Sequence, residues 1–288
     1  LVTGGAGFIG SHLVDRLVEQ GNEVTVWDNL SSGKKKNLNP KAKFHLVDVS
    51  KVQSDKYKND FEVIFHLAGE SRIQPSFEIP LETHNFNVTS TIKVLEIARL
   101  SSVPCTKVVY AGSSSVYHDV HANPYSCTKW IGEEYCKLFS KVYKVPTAIA
   151  RFFNVYGPRQ VSDGAYATVI GIFEKQKKAG DCLTVTDSEI GWGKQKRDFT
   201  HVDDIVSGLL AMSKDYWYGE IFNLGTGKNY ELMEVAKMFD PPAYGFLSKR
   251  PGEALETLAD ISYTTEKLGW KPERRLEDYV ADFLKTMQ

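Results

Sequence analysis

The chain has few of the features that mark metal centres, disulfide scaffolds and membrane proteins. Its four cysteines (Cys105, Cys127, Cys136 and Cys182) show no CxxC spacing, and its seven histidines form no HExxH or HxH pair. No apolar run approaches the roughly 18 residues of a membrane-spanning helix. We therefore expect reduced thiols, no metal site, no membrane partner and a cytoplasmic location.

An excess of either charge is also absent. The formal net charge is −1 and the sequence pI is about 6.7, so nothing indicates binding to nucleic acid. A length of 288 residues allows one large or two modest domains. The first strand-like segment, Leu1-Val2-Thr3, is short for a buried strand, and we expect a few residues to precede it.

A glycine-rich run from Thr3 to Gly10, TGGAGFIG, is the most informative segment that is present. It fits the spacing GxGxxG, is preceded by a strand-like segment and is followed by helix-like apolar spacing. Glycines there let backbone N–H groups approach a pyrophosphate at the start of a helix. The next strand-like segment ends on Asp28, whose carboxylate suits ribose hydroxyls and repels a 2′-phosphate. The combination predicts an NAD site.

Strand-like and helix-like segments alternate through the first half of the chain, and the strand cores are nearly continuous apolar runs. This pattern is typical of the α/β class and predicts a Rossmann-type, doubly wound parallel sheet. After about residue 157 the segments shorten. We expect an NAD-binding domain over 1–156, with 197–215 packing back on it, and a smaller α/β substrate-binding domain over 157–288.

Tyr125 and Lys129 are candidates for chemistry because they lie four residues apart on one face of a predicted helix. An adjacent ammonium and an oxidised nicotinamide favour the phenolate of a tyrosine whose ordinary pKa is about 10. Ser113 follows a buried strand, so it is expected at the same carboxyl edge as the cofactor, where its hydroxyl can bridge to the phenol. A plain strand-to-loop turn is the alternative for the serine run.

These motifs occur in a characteristic order. TGGAGFIG, Asp28, HLAG (66–69), AGSSSVY (111–117), PYxxxK (124–129) and RFFNVYGPRQ (151–160) are followed by RDFTHVDD (197–204), FNLGTG (222–227) and RPGE (250–253). In this the chain resembles the extended short-chain dehydrogenase/reductase family, and within it the nucleotide-sugar 4-epimerases acting on UDP-glucose or UDP-N-acetylglucosamine. The resemblance implies an NAD-dependent isomerase that works through a 4-keto sugar. It also implies a homodimer formed through a four-helix bundle.

The resemblance assigns the chemistry to Ser113, Tyr125 and Lys129. It places the cofactor against Gly4, Gly7, Phe8, Ile9, Gly10, Asp28, Asn29, Ser32, Gly33, Asp48, Val49, Leu67, Ala68, Gly69, Asn87, Tyr125 and Lys129. It places the UDP-sugar against Ser71, Arg72, Ser113, Ser114, Ser115, Asn154, Ala167, Thr168, Val169, Arg197, Arg250, Glu253 and Thr257. Purely structural explanations remain open for some of these residues. Asp48 can be a turn-forming residue, and Ser71 and Arg72 can be solvated residues of a loop.

Substrate choice is the open question. Thr257 resembles the position whose bulk limits the C2 substituent of the sugar, so we expect turnover of UDP-N-acetylglucosamine as well as UDP-glucose. Dehydratases of this family carry an acidic pair where this chain has Ser114 and Ser115, which disfavours that reaction. A UDP-glucuronate 4-epimerase or another nucleotide-sugar dehydrogenase or reductase remains an alternative; a non-catalytic NAD-binding protein is a third. His118, the 186–196 loop and the short 239–250 stretch depart from the family pattern.

Overall fold

The computed structural model describes residues 1–53, 61–103 and 105–287. Its strands are β1 (Val2–Thr3), β2 (Thr25–Asp28), β3 (Lys43–Leu46), β4 (Val63–His66), β5 (Lys107–Ser113), β6 (Thr147–Phe152), β7 (Val155–Tyr156), β8 (Leu183–Thr186), β9 (Lys196–Asp198), β10 (Thr200–His201), β11 (Tyr218–Leu224), β12 (Asn229–Glu231) and β13 (Tyr244–Leu247). Its helices are α1 (Phe8–Glu19), α2 (Ile73–Glu78), α3 (Pro80–His84), α4 (Ser90–Arg99), α5 (Pro124–Tyr143), α6 (Val169–Ala179), α7 (Val202–Met212), α8 (Leu232–Met238), α9 (Ser262–Leu268) and α10 (Leu276–Lys285).

Seven strands form one parallel sheet in the order β11-β6-β5-β4-β1-β2-β3. The order runs outward from β1 in both directions, which is the doubly wound arrangement of a Rossmann fold with one further strand beside β6. The predicted fold class is confirmed. Such a sheet places its ligand at the carboxyl ends of the strands, next to the point where the order reverses.

Alternate residues of the sheet strands enter two separate apolar cores. Phe65 and Val109 pack with α1 and α7 on one face, whereas Ile64 and Val108 pack with α4 and α5 on the other. This period of two is what a strand covered on both faces requires. The strand β3 differs from the sequence expectation, because it lies at the edge of the sheet and its Leu46 is 68% exposed.

The second half of the chain contributes to the large sheet and also builds a smaller region. Strand β11 pairs with β6, and Trp270 enters the core of the large sheet together with residues of α7. A third apolar cluster, which includes Phe173 and Phe239, joins α6, α8 and α10 beside the two-stranded pair of β8 and β13. The division of the chain into domains at residue 157 stays a prediction. No helix among the described residues is long and apolar enough to cross a membrane.

The position of α5 is fixed at its start and along its buried side. Asn123 caps the helix by accepting a hydrogen bond from the Ser126 N–H at 2.8 Å, and Pro124 takes the first helical position, where no N–H is needed. Glu133, fully buried, accepts three hydrogen bonds from Arg151 of β6, two from Nε at 3.1 and 3.2 Å and one from Nη2 at 2.6 Å. This paired contact holds α5 against the sheet.

The helical run from α3 to α4 contains a wider turn. The backbone forms α3, then a π-helical turn over Asn85–Thr89, and only then α4. The wider turn lets the Asn87 side chain face inward, where its oxygen accepts from the Glu70 N–H at 2.7 Å and its amide donates to the Thr128 hydroxyl at 3.0 Å.

Candidate active site

In the loop before α1, backbone segments pack too closely to leave room for side chains at the glycine positions. Gly4 has φ +72°, and a Cβ on Gly10 would lie 2.1 Å from the Gly4 carbonyl oxygen. The N-cap of α1 is Gly7, which supplies no side-chain cap, so the first N–H groups of the helix are left for another acceptor. We call this loop, residues 4–10, the glycine cradle. It presents the first N–H groups of α1 at the positive end of the helix, an arrangement that fits a pyrophosphate.

The Asp28 carboxylate closes one end of that cradle. Its two oxygens accept single hydrogen bonds, from the Ala6 N–H at 3.0 Å and the Leu30 N–H at 2.7 Å. Each oxygen therefore keeps a lone pair for a hydroxyl, and Asp28 lines the cavity described below. A Cβ on Gly33 would lie 2.7 Å from an Asp28 oxygen, so Gly33 packs against this carboxylate and not against the cavity.

Asn87 likewise lies behind the wall of the cavity, although the sequence places it against the cofactor. It is 1% exposed, and a Cβ on Gly69 would come within 2.7 Å of its side-chain oxygen. Asn87 therefore supports the loop after β4 from the side that faces away from the cavity. Any contact of its own with the cofactor remains a prediction. Asp48 does line the cavity, and it also caps a short 3₁₀ turn by accepting from the Ser50 N–H at 3.1 Å.

The three candidate catalytic side chains meet where β5 ends and α5 begins. Ser113 is the last residue of β5, and its hydroxyl accepts the Ser115 N–H at 3.2 Å. Lys129 donates from Nζ to the Ala111 carbonyl at 3.0 Å. Burial lowers the pKa of Lys129 to about 8, so the side chain remains mostly protonated near neutral pH.

The environment of Tyr125 differs from the one expected from the sequence. Burial raises the pKa of the Tyr125 phenol, while a hydrogen bond with the Ser113 side chain and the positive charge of Arg72 act in the lowering direction. The Glu70 carboxylate raises it further. Arg72 is thus a cation near the phenol that the sequence analysis did not connect with it. Lys129 donates to a backbone carbonyl, and its predicted action on the phenol stays a prediction.

One cavity of about 740 Å³ joins these groups with the second half of the chain. Every predicted substrate residue lines it, and so does every predicted cofactor residue except Gly33 and Asn87. The two halves of the chain therefore line a single cavity, whose volume is typical of ligand-binding pockets. The roles of the individual residues remain predictions.

Two arginines and a glutamate are the charged residues that the second half of the chain contributes to the lining of the cavity. Glu253 lies 3.7 Å from Arg197 and 3.9 Å from Arg250. Burial lowers the pKa of Arg197, and Glu253 acts against that shift. Two cations that share one carboxylate leave a net positive charge, which suits a diphosphate.

Thr257 is tied into the wall of the cavity by its hydroxyl. The oxygen accepts from the Asn154 amide at 2.9 Å and from the Asp198 N–H at 3.2 Å. Its side chain is 8% exposed, so it borders the cavity with its small volume and not with a free polar group.

Several contacts within the site were not predicted from the sequence. Tyr166 donates its hydroxyl to Glu70 at 2.7 Å and accepts a hydrogen bond from Arg72 on its carbonyl at 3.0 Å. Ser76 accepts the Tyr125 N–H at 3.1 Å. No local pattern predicts these long-range contacts. By contrast, the Asn-Pro pair before Tyr125 is a local pattern that predicts the start of a helix.

The comparisons with known proteins agree with this geometry. The family model "NAD dependent epimerase/dehydratase family" matches residues 1–225. A protein of Methanocaldococcus jannaschii described as a putative UDP-glucose 4-epimerase is 37% identical over the whole of this chain and 98% of its own length.

Solved structures are similar over nearly their full length. The UDP-glucose 4-epimerase of Thermotoga maritima with UDP-glucose superposes with a TM-score of 0.88 at 31% identity, covering 100% of this chain and 99% of its own. A UDP-N-acetylglucosamine 4-epimerase of Methanobrevibacter ruminantium in complex with UDP-N-acetylmuramic acid gives 0.87 at 30% identity, over 99% and 98%.

The chain belongs to the NAD-dependent epimerase/dehydratase family, within the extended short-chain dehydrogenases/reductases. It is an enzyme of that family, and NAD is its cofactor. The glycine cradle and the Asp28 carboxylate are the features of this chain that fit the dinucleotide.

The glycine cradle makes the first prediction. Gly10→Ala places a methyl group against the Gly4 carbonyl, so the loop must shift and NAD affinity should fall at least about tenfold, or about 1.4 kcal/mol. Gly7→Ala, whose Cβ would lie 3.1 Å from the same oxygen, should have a smaller effect. Calorimetric titration with NAD measures both.

Gly180→Ala is the matched control. Gly180 has φ +73° with open space around its Cβ, so alanine costs about 1 kcal/mol of stability without touching the cavity. Unchanged NAD affinity in Gly10→Ala, with a folded protein by circular dichroism, would show that the loop does not hold the dinucleotide.

Proposed function

We propose that the protein is an NAD-dependent 4-epimerase of a UDP-linked hexose or N-acetylhexosamine. The observation that supports this most directly is the meeting of Ser113, Tyr125 and Lys129 at the carboxyl end of β5, inside the cavity that the glycine cradle also lines. NAD, when bound, supplies a reversible acceptor for the C4 hydride, so that no external oxidant is consumed.

Tyr125 acts on the proton of the C4 hydroxyl. Its phenolate accepts that proton, directly or through the Ser113 hydroxyl, and returns it when the alcohol is re-formed. The Ser113 hydrogen bond and the Arg72 charge favour the phenolate against the cost of burial. Lys129, fixed on the Ala111 carbonyl, is proposed to orient the ribose next to the nicotinamide.

The second half of the cavity holds the rest of the substrate in this proposal. Arg197 and Arg250 bind the diphosphate, and the segment 165–169 packs on the base. Because inversion at C4 requires the 4-keto sugar to present its other face, the sugar must turn about the diphosphate while these contacts persist. The absence of a carboxylic acid at Ser114 and Ser115 argues against dehydration.

We also propose a homodimer formed through α4 and α5. The outer side of α5 exposes apolar side chains, with Trp130 38% and Leu138 46% accessible, while Gly132, Cys136 and Phe139 of the same helix are buried. Ile131, which is partly buried, adds to the same seam. Pairing of these helices with their copies would cover this surface.

Removal of the phenolic oxygen tests the function. Tyr125→Phe should lower kcat for C4 epimerisation about 10² to 10⁴-fold while NAD binding persists, because the proton acceptor is lost and the cofactor cradle is intact. A panel of UDP-sugars, followed by chromatography of the two epimers, measures it.

Ser113→Ala is the companion variant. Loss of its hydrogen bond raises the Tyr125 pKa, so the rise of kcat/KM with pH should move to higher pH. Wild-type protein that binds NAD and yet epimerises no UDP-sugar, or that needs stoichiometric external oxidant, would contradict the proposal.

The small volume of Thr257 generates a separate prediction. Thr257→Tyr should abolish turnover of UDP-N-acetylglucosamine and largely spare UDP-glucose, because the added ring occupies the space for the N-acetyl group. Thr257→Ser, which keeps the hydroxyl that accepts from Asn154 and Asp198, should retain both activities. An equal fall of both activities in Thr257→Tyr would exclude the gatekeeper role, and steady-state kinetics on the two sugars decides it.

A further inference from the structure

Tyr166, which lies between β7 and α6, makes two hydrogen bonds to the loop after β4. Its hydroxyl donates to the Glu70 carboxylate at 2.7 Å, and its carbonyl accepts from Arg72 Nε at 3.0 Å. Residues 72 and 166 are 94 positions apart, so these bonds join the second half of the chain to the first. All three residues line the cavity, and the two bonds are therefore part of its wall.

The loop after β4 and the neighbouring start of α5 have a second attachment to the same half of the chain. Gln74, in the first turn of α2, donates to the Pro251 carbonyl at 2.9 Å. Asn123, which caps α5, donates to the Gly252 carbonyl at 3.3 Å. Both attachments must break before the second half of the chain can move away from this wall.

The loop that Tyr166 holds runs beside the candidate catalytic groups. A Cβ on Gly69, the residue before Glu70, would lie 3.4 Å from Nζ of Lys129. Glu70 is 4% exposed, and its second oxygen accepts two backbone N–H groups of the loop, at 2.8 and 3.1 Å. The carboxylate is therefore held in place as an acceptor for the Tyr166 hydroxyl, at the end of the cavity where the reacting sugar is proposed to lie.

The proposed reaction passes through an intermediate that the protein must not lose. When the C4 hydroxyl is oxidised, the C4 hydrogen passes to the cofactor and the O4 proton to Tyr125. If the 4-keto sugar departs at this stage, both hydrogens stay behind and the cycle cannot be completed. The sugar must nevertheless turn, so strong direct contacts with its ring would oppose the reaction. Bonds that close the cavity without touching the sugar can retain it and still let it turn.

We propose that Tyr166 is a positioning residue that keeps the cavity closed around the 4-keto sugar through its bonds to Glu70 and Arg72. The inference rests on the proposed 4-epimerase function and adds to it a residue that controls release of the intermediate. A hydrogen bond to an ionised acceptor is stronger than one between neutral groups, and the burial of Glu70 strengthens it further. Because the bond must open whenever a ligand enters or leaves, it sets the rate of exchange more than the affinity.

Tyr166→Phe removes the hydroxyl bond and keeps the ring. With the NAD-loaded enzyme and UDP-glucose, we expect absorbance of the reduced cofactor to build up during turnover while the rate of epimerisation falls in parallel. The number of turnovers before activity is lost should drop at least about tenfold, or about 1.4 kcal/mol, as for loss of one hydrogen bond to a charged group. Mass spectrometry of the filtrate should detect the released 4-keto sugar, which has two hydrogens fewer than the substrate.

Tyr230→Phe is the matched control. Tyr230 donates its hydroxyl to Glu277 at 2.7 Å, which is the same kind of bond at the same distance, but neither residue lines the cavity. Glu70→Gln is the conservative variant, because its amide can donate to the Tyr166 oxygen while its carbonyl accepts the two loop N–H groups. Its retention of the keto sugar should be closer to wild type than to Tyr166→Phe.

The kinetics of UDP binding to the NAD-loaded protein separate closure from direct contact. In Tyr166→Phe the association and dissociation rate constants, measured by stopped-flow fluorescence, should both rise at least about threefold with little change of Kd. A rise of the dissociation rate alone, with weaker binding, would assign Tyr166 to the ligand and overturn the inference.

The other outcomes are equally decisive. If Tyr166→Phe releases no keto sugar and accumulates no reduced cofactor, or if Tyr230→Phe shows the same losses, the inference is wrong and the proposed function stands. A wild-type enzyme that reduces no bound NAD and forms no epimer would overturn the proposed function itself.

Discussion

The attachment of α5 to the carboxyl ends of β5 and β6 is the constraint on which the site depends. Two charged contacts hold it: Lys129 on the Ala111 carbonyl, and the fully buried Glu133 on Arg151. Loss of either partner would leave a buried charge without compensation, which is far more costly than loss of a surface pair. Because both contacts lie on the inner side of the helix, they also fix the rotation that turns Tyr125 toward Ser113.

A second set of contacts joins the two sides of the cavity. Glu70 and Arg72, on the loop after β4, both bond to Tyr166, which lies within the segment 165–169 that is proposed to pack on the base. The two walls of the cavity, one from each half of the chain, are thereby linked through one tyrosine. The tyrosine hydroxyl that Glu70 accepts has its pKa raised to about 12, mainly by burial and by that hydrogen bond, so the link persists across the physiological pH range.

Local sequence signals predicted the parts of the structure that local physics controls. The Rossmann-type sheet was predicted from the glycine run, the acid that ends β2 and the alternation of strands and helices. The spacing of Tyr125 and Lys129 predicted that they lie on one face of a helix. The exposure of β3 was not predicted. Whether a strand lies at the edge follows from the order of the strands in the sheet, which no local pattern gives. The turn at Asn87 and the action of Arg72 on Tyr125 also depend on contacts between distant segments, which periodicity does not report.

In the proposed reaction the C4 hydrogen leaves as a hydride and returns to the same carbon, while only the hydroxyl proton passes through Tyr125. Conversion of a UDP-sugar carrying deuterium at C4, in ordinary water, tests this most directly. We expect an epimer that retains the deuterium at C4 by mass spectrometry and NMR. An epimer with hydrogen at C4 would show exchange with solvent and exclude return of the hydride to its own carbon.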